Sequence, residues 1–589
     1  VKNLRGMYRS WFLDYASYVI LERAVPHIDD GLKPVQRRIL HSMKELEDGR
    51  YNKVANIVGN TMKYHPHGDA SIAGALVTMG QKDLLIDCQG NWGNILTGDG
   101  AAAPRYIEAR LSEFALEVVF NPKTTSFHPS YDGRNMEPDT LPIKYPLLLA
   151  QGAKGIAVGL ACEIFPHNFN ELIDASIAIL RGEEFSIYPD FPTGGIIMGR
   201  SGIRAAYATG RGKIIVRAKA QIEEFKNNRE RIVVTEIPFM VNKARLIEHM
   251  ADLVKEKRID QISDIRDESN NRNGMKIVIE LKRDANAQVV LNQLYSYTQM
   301  QDTCGVIMLA LVNGEPKVLT LKEILQEYLK FQKEVIRRRT VFDLRKAQER
   351  EHILEGLKIA QDNIDEVVRI IRESRDDNES RPKLMERFGL SEIQANAILA
   401  MRLGRLSGLE RDKIENELAE VRAKIAEYKD ILANESRVLA IIKAEMTEIK
   451  EKYDDPRRTE LAVVSGEVDI EDLIPEEECV VTLTQYGYIK RQPSDTYKSQ
   501  RRGGRGISGM NRRDEDFVTD LYTCSTHDYL MFFTNMGKVY RIKGYEIPES
   551  SRASRGTNII NILPLENGEK ITSVVKTSVL EDENKYLVM

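Results

Sequence analysis

A multidomain α+β protein is predicted by three features of this 589-residue chain. The N-terminal segment, to about Phe120, carries the punctuation of a helix-turn-helix unit. Two long heptad runs then flank a compact helical insert, and the C-terminal segment repeats itself at an offset of 50 residues. At ~150 residues per domain the length corresponds to about four domains. With 42% apolar and 29% charged residues, a collagenous or wholly disordered chain is excluded.

The expected division is 1–190, 191–320, 321–460 and 461–589. In the first segment Pro34 is placed to open a helix over Pro34 to Leu46, because its fixed φ suits the first helical position and Ile39, Leu40, Met43 and Leu46 repeat at helical spacing. A second helix is expected from about Lys53 to Met62. The loop Tyr64-His65-Pro66-His67-Gly68 follows, and Asp69 is positioned to cap a third helix, Ala70 to Met79.

The second segment alternates strands with helices. Lys213 to Ile222, Arg231 to Ile237 and Met275 to Leu281 are rich in β-branched residues, and Lys243 to Lys257 has helical periodicity. In the third, Ile324, Tyr328, Phe331 and Val335 are followed, after a break, by Ile353, Leu357, Ala360, Ile364, Val367 and Ile371. The same spacing returns at Ile414, Leu418, Val421, Ile425, Tyr428 and Leu432. Two such runs around an insert of about 376–413 predict an antiparallel coiled-coil arm with a helical tip. Past Asp454-Asp455-Pro456-Arg457-Arg458, Leu483-Thr484-Gln485-Tyr486-Gly487-Tyr488-Ile489 matches Phe533-Thr534-Asn535-Met536-Gly537-Lys538-Val539, as blades of a propeller-like array would. Tyr586-Leu587-Val588-Met589 echoes Tyr529-Leu530-Met531-Phe532, so a third, unclosed unit and a truncated array are expected.

The net charge of -4 argues against a uniformly basic nucleic-acid coat, so any polyanion site must be local. Lys33 to Lys63 supplies such a patch, with seven basic side chains against three acidic ones beside the helix-turn-helix. Five scattered cysteines without a CxxC pair form neither a disulfide framework nor a zinc site, which fits a reducing, cytoplasmic setting. The longest apolar stretch, near Gly155 to Cys162, falls short of the ~18 residues of a spanning helix, and the N-terminus lacks a signal-peptide core. No membrane partner is expected.

Gly98-Asp99-Gly100-Ala101-Ala102-Ala103-Pro104-Arg105-Tyr106 places a phenol directly after a guanidinium, in a small-residue stretch that another backbone can approach. A phenol with its ordinary pKa of ~10 is a poor nucleophile near neutrality and needs cationic neighbours. Arg105 is the obvious one, and it could also offset charge on a pentacovalent phosphate. His65 and His67 lack the companions of a zinc site and read better as phosphate contacts or loop structure; no metal ligands are assigned. No GxxxxGK[ST] occurs, since Gly212-Lys213 is followed by Ile214. Ile156 would by default be a buried strand residue, yet an exposed apolar side chain there could wedge into a base step.

Together these residues resemble the A subunits of bacterial type IIA DNA topoisomerases. The resemblance rests on Asp30-Gly31-Leu32-Lys33-Pro34-Val35-Gln36-Arg37-Arg38, Tyr64-His65-Pro66-His67-Gly68-Asp69, Gln89-Gly90-Asn91 and Ala102-Ala103-Pro104-Arg105-Tyr106. Further matches are Gly155-Ile156-Ala157-Val158-Gly159 with Pro166-His167-Asn168, and Ala397-Ile398-Leu399 through Arg402-Leu403 to Gly408-Leu409-Glu410. Gln500-Arg501-Arg502-Gly503-Gly504-Arg505-Gly506 is similar to the gyrase box, with Arg505 where Lys is usual, and favours the gyrase branch over topoisomerase IV. The first ~190 residues are the more topoisomerase IV-like part. Two departures are Gln36, where gyrases often carry His, and Cys162-Glu163, which interrupts a stretch usually small and polar.

The resemblance implies a winged-helix DNA-gate domain, a tower domain, a coiled coil with a dimer tip, and an incomplete β-pinwheel that wraps DNA. It implies Tyr106 as transesterification nucleophile and Arg105 as its transition-state partner. Arg23, Lys33, Arg37, Arg38, His65 and His67 would hold the scissile region, and Ile156 would bend it. The chain would work as a homodimer in an A2B2 complex on duplex DNA, with Mg2+ and ATP on the B subunit. Quinolone drugs are held in this family by a Ser and an acidic residue four positions later; those positions are Ala70 and Gly74. The rival readings are a non-catalytic, DNA-bridging coiled-coil protein and a decatenating topoisomerase IV A subunit.

Overall fold

A computed structural model describes residues 4–225, 229–270, 274–283, 285–401, 408–462, 474–494, 516–551, 554–566 and 568–578. Contacts divide the chain into two units. The first joins residues 1–218, 237–245 and 302–465; the second joins 219–236, 246–301 and 466–589.

In the first unit, helix α1 (Leu4–Val19) runs into one π turn, Ile20–Ala24. Helix α2 (Pro34–Glu45) opens on Pro34 as expected, and its Lys33 amide is held by the Gln36 side chain at 3.0 Å. Helices α3 (Val54–Thr61) and α4 (Asp69–Gly80) pack on it, and strands β1 (Asn52–Lys53), β2 (Ile86–Gln89) and β3 (Glu108–Leu111) form a small antiparallel sheet in the order β1-β3-β2. The N-cap of α4 is Gly68, not Asp69. Asp69 is already helical, and its carboxylate accepts the Ala70 amide at 2.9 Å within the first turn, where the helix dipole favours a negative charge. Ile39, Leu40, Val54, Ile57, Ile72 and Leu76 form the core between these helices, and it continues into Tyr328, Ile336, Ile442 and Met446.

A six-stranded sheet of the same unit draws strands from distant sequence: Glu460–Ala462, Ile196–Met198, Arg211–Arg217, Gln301–Ile307, Ala161–Ile164 and, at the edge, Ala153–Ile156. The single strand expected over Lys213 to Ile222 is therefore two. Arg211–Arg217 belongs to this sheet, whereas Lys219–Phe225 pairs with Arg229–Glu236 in another; the β-branched pattern runs across the junction without marking it.

Leu321–Asp362 is one unbroken helix of 42 residues, so the heptad break after Val335 is not a structural break. Pairs such as Arg338 with Glu334, one turn apart, sustain the helix where the apolar stripe lapses. Helix Gly408–Ala433 runs back along it. Arg350 meets Glu417 at 2.6 Å, Arg422 meets Glu351 and Glu355 at 3.0 and 2.7 Å, and Arg411 meets Asp362 at 2.9 Å, an order of partners that makes the two antiparallel. Helices Asp377–Phe388 and Glu392–Leu399 close the far end, where a Cβ on Gly356 would strike the Gln394 side chain at 2.7 Å.

The second unit contains a four-stranded antiparallel sheet, Lys219–Phe225, Arg229–Glu236, Ile277–Leu281 and Ile262–Asp267, with helix Ala287–Tyr297 packed by Leu291 and Leu294. It also contains the repeat. Hairpins Glu478–Thr484/Tyr488–Pro493 and Tyr529–Thr534/Val539–Lys543 turn at Gly487 and Gly537, with φ of +78° and +74°, positions where a side chain would be strained. Cys479 and Cys524, scattered in sequence, are paired across adjacent strands with Sγ atoms 3.6 Å apart, both as free thiols. The third repeat at Tyr586 and the box at Gln500–Gly506 lie outside the described residues. Among the described residues no helix is long and apolar enough to cross a membrane.

Candidate nucleic-acid interface

The segment bearing Arg105 and Tyr106 is fixed by backbone and free in its side chains. Helix α3 has first-turn amides without intrahelical acceptors, and two of them donate into this segment, Val54 to the Ile107 carbonyl and Ala55 to the Pro104 carbonyl, both at 3.0 Å. Ala102 donates to the Asn91 carbonyl at 2.9 Å, which brings in the Gln89-Gly90-Asn91 turn, and the Asn242 side chain donates to the Thr97 carbonyl at 2.9 Å. On this frame the Tyr106 side chain stands 64% exposed, and the exposed Arg105 guanidinium lies 4.5 Å from its ring centroid. A fixed cation on the face of the phenol favours the anionic oxygen that a nucleophilic attack requires.

Four of the residues singled out in the sequence meet in one cleft of about 280 Å³: Arg23, Lys33, His65 and Ile156, together with Glu22 and Ser71. Tyr106 is not on its wall. Ile156 is 80% exposed at the tip of the Ala153–Ile156/Ala161–Ile164 hairpin, so the default expectation of a buried strand residue fails and the wedge geometry is present. Arg23 is exposed and has no carboxylate partner among the described residues. The ring of His65 is buried and its pKa is pushed down to about 4, first by burial and then by the charge of Arg38. Its Nδ1 accepts from Arg38 at 3.1 Å, which assigns the proton of the neutral ring to Nε2 and leaves a donor on that side. His67 is bonded to the Tyr18 hydroxyl, and its ring is tilted against that of His65 with centroids 4.7 Å apart.

Two arginines are not where the sequence reading places them. Arg37 is buried, its Nε and Nη2 donate to both carboxylate oxygens of Asp30 at 2.6 and 2.9 Å, and Nη2 also reaches the Leu32 carbonyl at 3.2 Å. With its fork spent inside the protein it cannot touch phosphate, and its assignment as a DNA contact is overturned. Arg38 lines up with Glu137 at 2.5 Å and with His65, so its charge is largely offset. Asp30 and Glu137 were missed as functional positions. Asp30 lay in a quoted motif without a role, and Glu137, 99 residues from Arg38, gave no local signal.

On α4, Ala70 and Gly74 are exposed one turn apart, and a Cβ on Gly74 would meet nothing within 4 Å. Ser71 uses its hydroxyl on the Gly68 carbonyl at 2.6 Å. Among the described residues no three His, Cys, Asp or Glu side chains converge as a metal cage, so no step is routed through a metal on this chain.

Comparison with known proteins agrees with this geometry. The family described as the A subunit of DNA gyrase/topoisomerase IV matches residues 23–447, and the DNA gyrase C-terminal domain, beta-propeller, matches 480–525 and 528–578. The DNA gyrase A subunit of Clostridium acetobutylicum is 54% identical over 597 residues, covering 98% of this chain and 71% of that protein. The DNA gyrase A subunits of Staphylococcus epidermidis and of Staphylococcus aureus are each 52% identical over 606 residues, covering 100% of this chain and 68% of theirs. The likeness thus includes the first 190 residues, which on sequence motifs looked closer to topoisomerase IV. A multidomain α+β chain with a fixed Arg-Tyr pair, an exposed apolar hairpin tip over a basic cleft, and matches along nearly its whole length belongs to the family of DNA gyrase and topoisomerase IV A subunits.

Proposed function

We propose that this chain is the DNA breakage-reunion subunit of a type IIA topoisomerase of the gyrase kind. The observation that carries the reading is the Arg105-Tyr106 pair, exposed on a backbone pinned by α3. The Tyr106 Oη attacks a backbone phosphorus, forming an Oη–P bond as the P–O3′ bond breaks. The 3′ oxygen leaves as a hydroxyl carrying the proton, and the 5′ end stays on the protein. Religation is the reverse, so one phosphodiester is exchanged for another and nothing is hydrolysed.

Each Tyr106 cuts one strand, so a double-strand gate requires two copies of the chain. We assign α2–α4 with the β1-β3-β2 sheet to a winged-helix gate, and the antiparallel helices 321–362 and 408–433 to a coiled-coil arm ending in a dimer contact. Mg2+ and the ATPase belong to a B subunit in an A2B2 complex, which passes a second duplex through the gate. The test is denaturation of the complex formed with B subunit, Mg2+ and plasmid. Protein covalently joined to 5′ DNA ends supports the reading, and bridged DNA without any adduct supports the non-catalytic rival.

DNA affinity is expected to fall steeply with salt, as phosphate contacts release counterions. Arg23→Gln should lower the log-log slope by about one. Binding titrations of wild type and variant over a series of salt concentrations check this; an unchanged slope removes Arg23 from the interface.

Quinolones should stabilise cleavage complexes of this protein poorly. Neither Ala70 nor Gly74 can join a hydrated cation, and the Ser71 hydroxyl, about 100° around the helix, is turned to the Gly68 carbonyl. Ala70→Ser with Gly74→Asp should restore sensitivity. Open space at Gly74 admits the carboxylate, and removal of a mid-helix glycine adds up to ~1 kcal/mol of stability. Equal half-maximal drug concentrations for cleavage by the two proteins would refute it.

A further inference from the structure

The Ile156 hairpin is an edge element, because Ala153–Ile156 is the last strand of its sheet and its outward carbonyls have no neighbouring strand. Lysine ammonium groups take that place. Lys33 Nζ donates to the Lys154 carbonyl at 2.6 Å. Lys82, from the turn that ends α4, donates from Nζ to the Gln151 carbonyl at 3.0 Å and to the Gly152 carbonyl at 3.3 Å. Gly152, with φ of +66°, ends helix Leu147–Gln151 and begins the hairpin, so both acceptors lie at the negative end of a helix and at the root of the wedge. Past Lys154, a Cβ on Gly155 would collide with the Ala24 carbonyl. The strand is thus fixed at three successive points, and only Ile156 projects.

We infer that Lys82 is a positioning residue for DNA bending, holding the root of the hairpin so that Ile156 stands over the cleft. The inference rests on the reading of Ile156 as the wedge. Neither ammonium has a carboxylate partner among the described residues, and the two are close enough to repel. Burial and the Lys33 charge push the Lys82 ammonium down to about 8. A site assembled only for stability has no use for two like charges, whereas a hairpin that must press against stacked bases without yielding has use for two rigid tethers.

The experiment measures bending of a short duplex labelled at both ends, by energy transfer, with the full chain, B subunit and Mg2+. Lys82→Met keeps the side chain's length and removes its donors. It should lower the bent fraction by about threefold or more, toward the value for Ile156→Ala, since smooth bending of a site is opposed by the stiffness of DNA. The salt slope of binding and the thermal midpoint should stay as in wild type, and Lys82→Arg, with donors and charge retained, should restore bending. Ile156→Ala reducing bending while Lys82→Met does not would overturn the inference alone. Wild-type bending in both variants would overturn the wedge reading and the inference with it. A fall in bending matched by a fall in thermal midpoint, without rescue by Lys82→Arg, would make Lys82 merely structural and also overturn it.

Discussion

Tyr106→Phe is expected to abolish strand cleavage while leaving DNA binding and folding intact. The substitution deletes one oxygen and no charge. Tyr106 is 64% exposed, and its part in the local fold is a backbone bond, the 2.9 Å donation from its amide to the Ala103 carbonyl, which phenylalanine keeps. Stability should therefore move by no more than ~0.5 kcal/mol, as at other exposed positions. The chemistry has no such alternative, because without Oη no covalent bond to phosphorus can form. Cleavage measured as covalent adduct with B subunit and Mg2+ should fall about a thousandfold or more. Arg105→Gln should lie between, with the nucleophile present and its cation, 4.5 Å from the ring, lost. Cleavage by Tyr106→Phe at near the wild-type rate would remove Tyr106 from the mechanism.

Features set by short-range sequence were legible. Pro34 opens α2, the glycines of the 50-residue repeat turn both hairpins, and an unusually apolar, glycine-flanked tip at Ile156 is exposed as a wedge must be. What the sequence concealed depends on partners far away in the chain. Seven positive side chains between Lys33 and Lys63 look alike on paper, yet Arg37 faces inward to Asp30, Arg38 is offset by Glu137 and Lys53 by Glu108 at 2.6 Å. Lys82 attracted no notice because its acceptors are backbone carbonyls 69 and 70 residues on, which no residue type announces. The split at Ala218 escaped for a related reason: β-branched patterning reports that a segment is extended, and is silent about which sheet it joins.

The largest loss of stability is expected at the pair that sequence reading mistook for a DNA contact. Arg37→Met leaves the Asp30 carboxylate, whose side chain is fully buried, without its counter-ion, and breaking a buried pair from one side typically costs about 3–5 kcal/mol. Asp30 cannot escape by neutralising without further loss, because its two oxygens also accept the Leu32 and Leu141 amides at 3.1 and 3.0 Å. Those bonds tie the loop before α2 to a segment 111 residues away. Asp30→Ala orphans both amides and the guanidinium at once, so it should be at least as damaging. In the double variant Asp30→Asn with Arg37→Met, the buried charge is gone from both sides and the amide oxygen still serves one backbone donor. Its loss should be smaller than the sum of the single losses, a positive coupling of the kind shared networks give. The exposed pair of Arg50 with Asp48 is the control, since Arg50→Met removes an ion pair that solvent already screens and should change nothing measurable. Denaturant titration of these variants decides the matter. Because Lys33 caps α2 beside this pair, partial unfolding here would also disturb the cleft. The decisive pattern is therefore a fall in midpoint for Arg37→Met with an unchanged salt slope of DNA binding under conditions where the variant remains folded; a lowered slope there would return Arg37 to the interface.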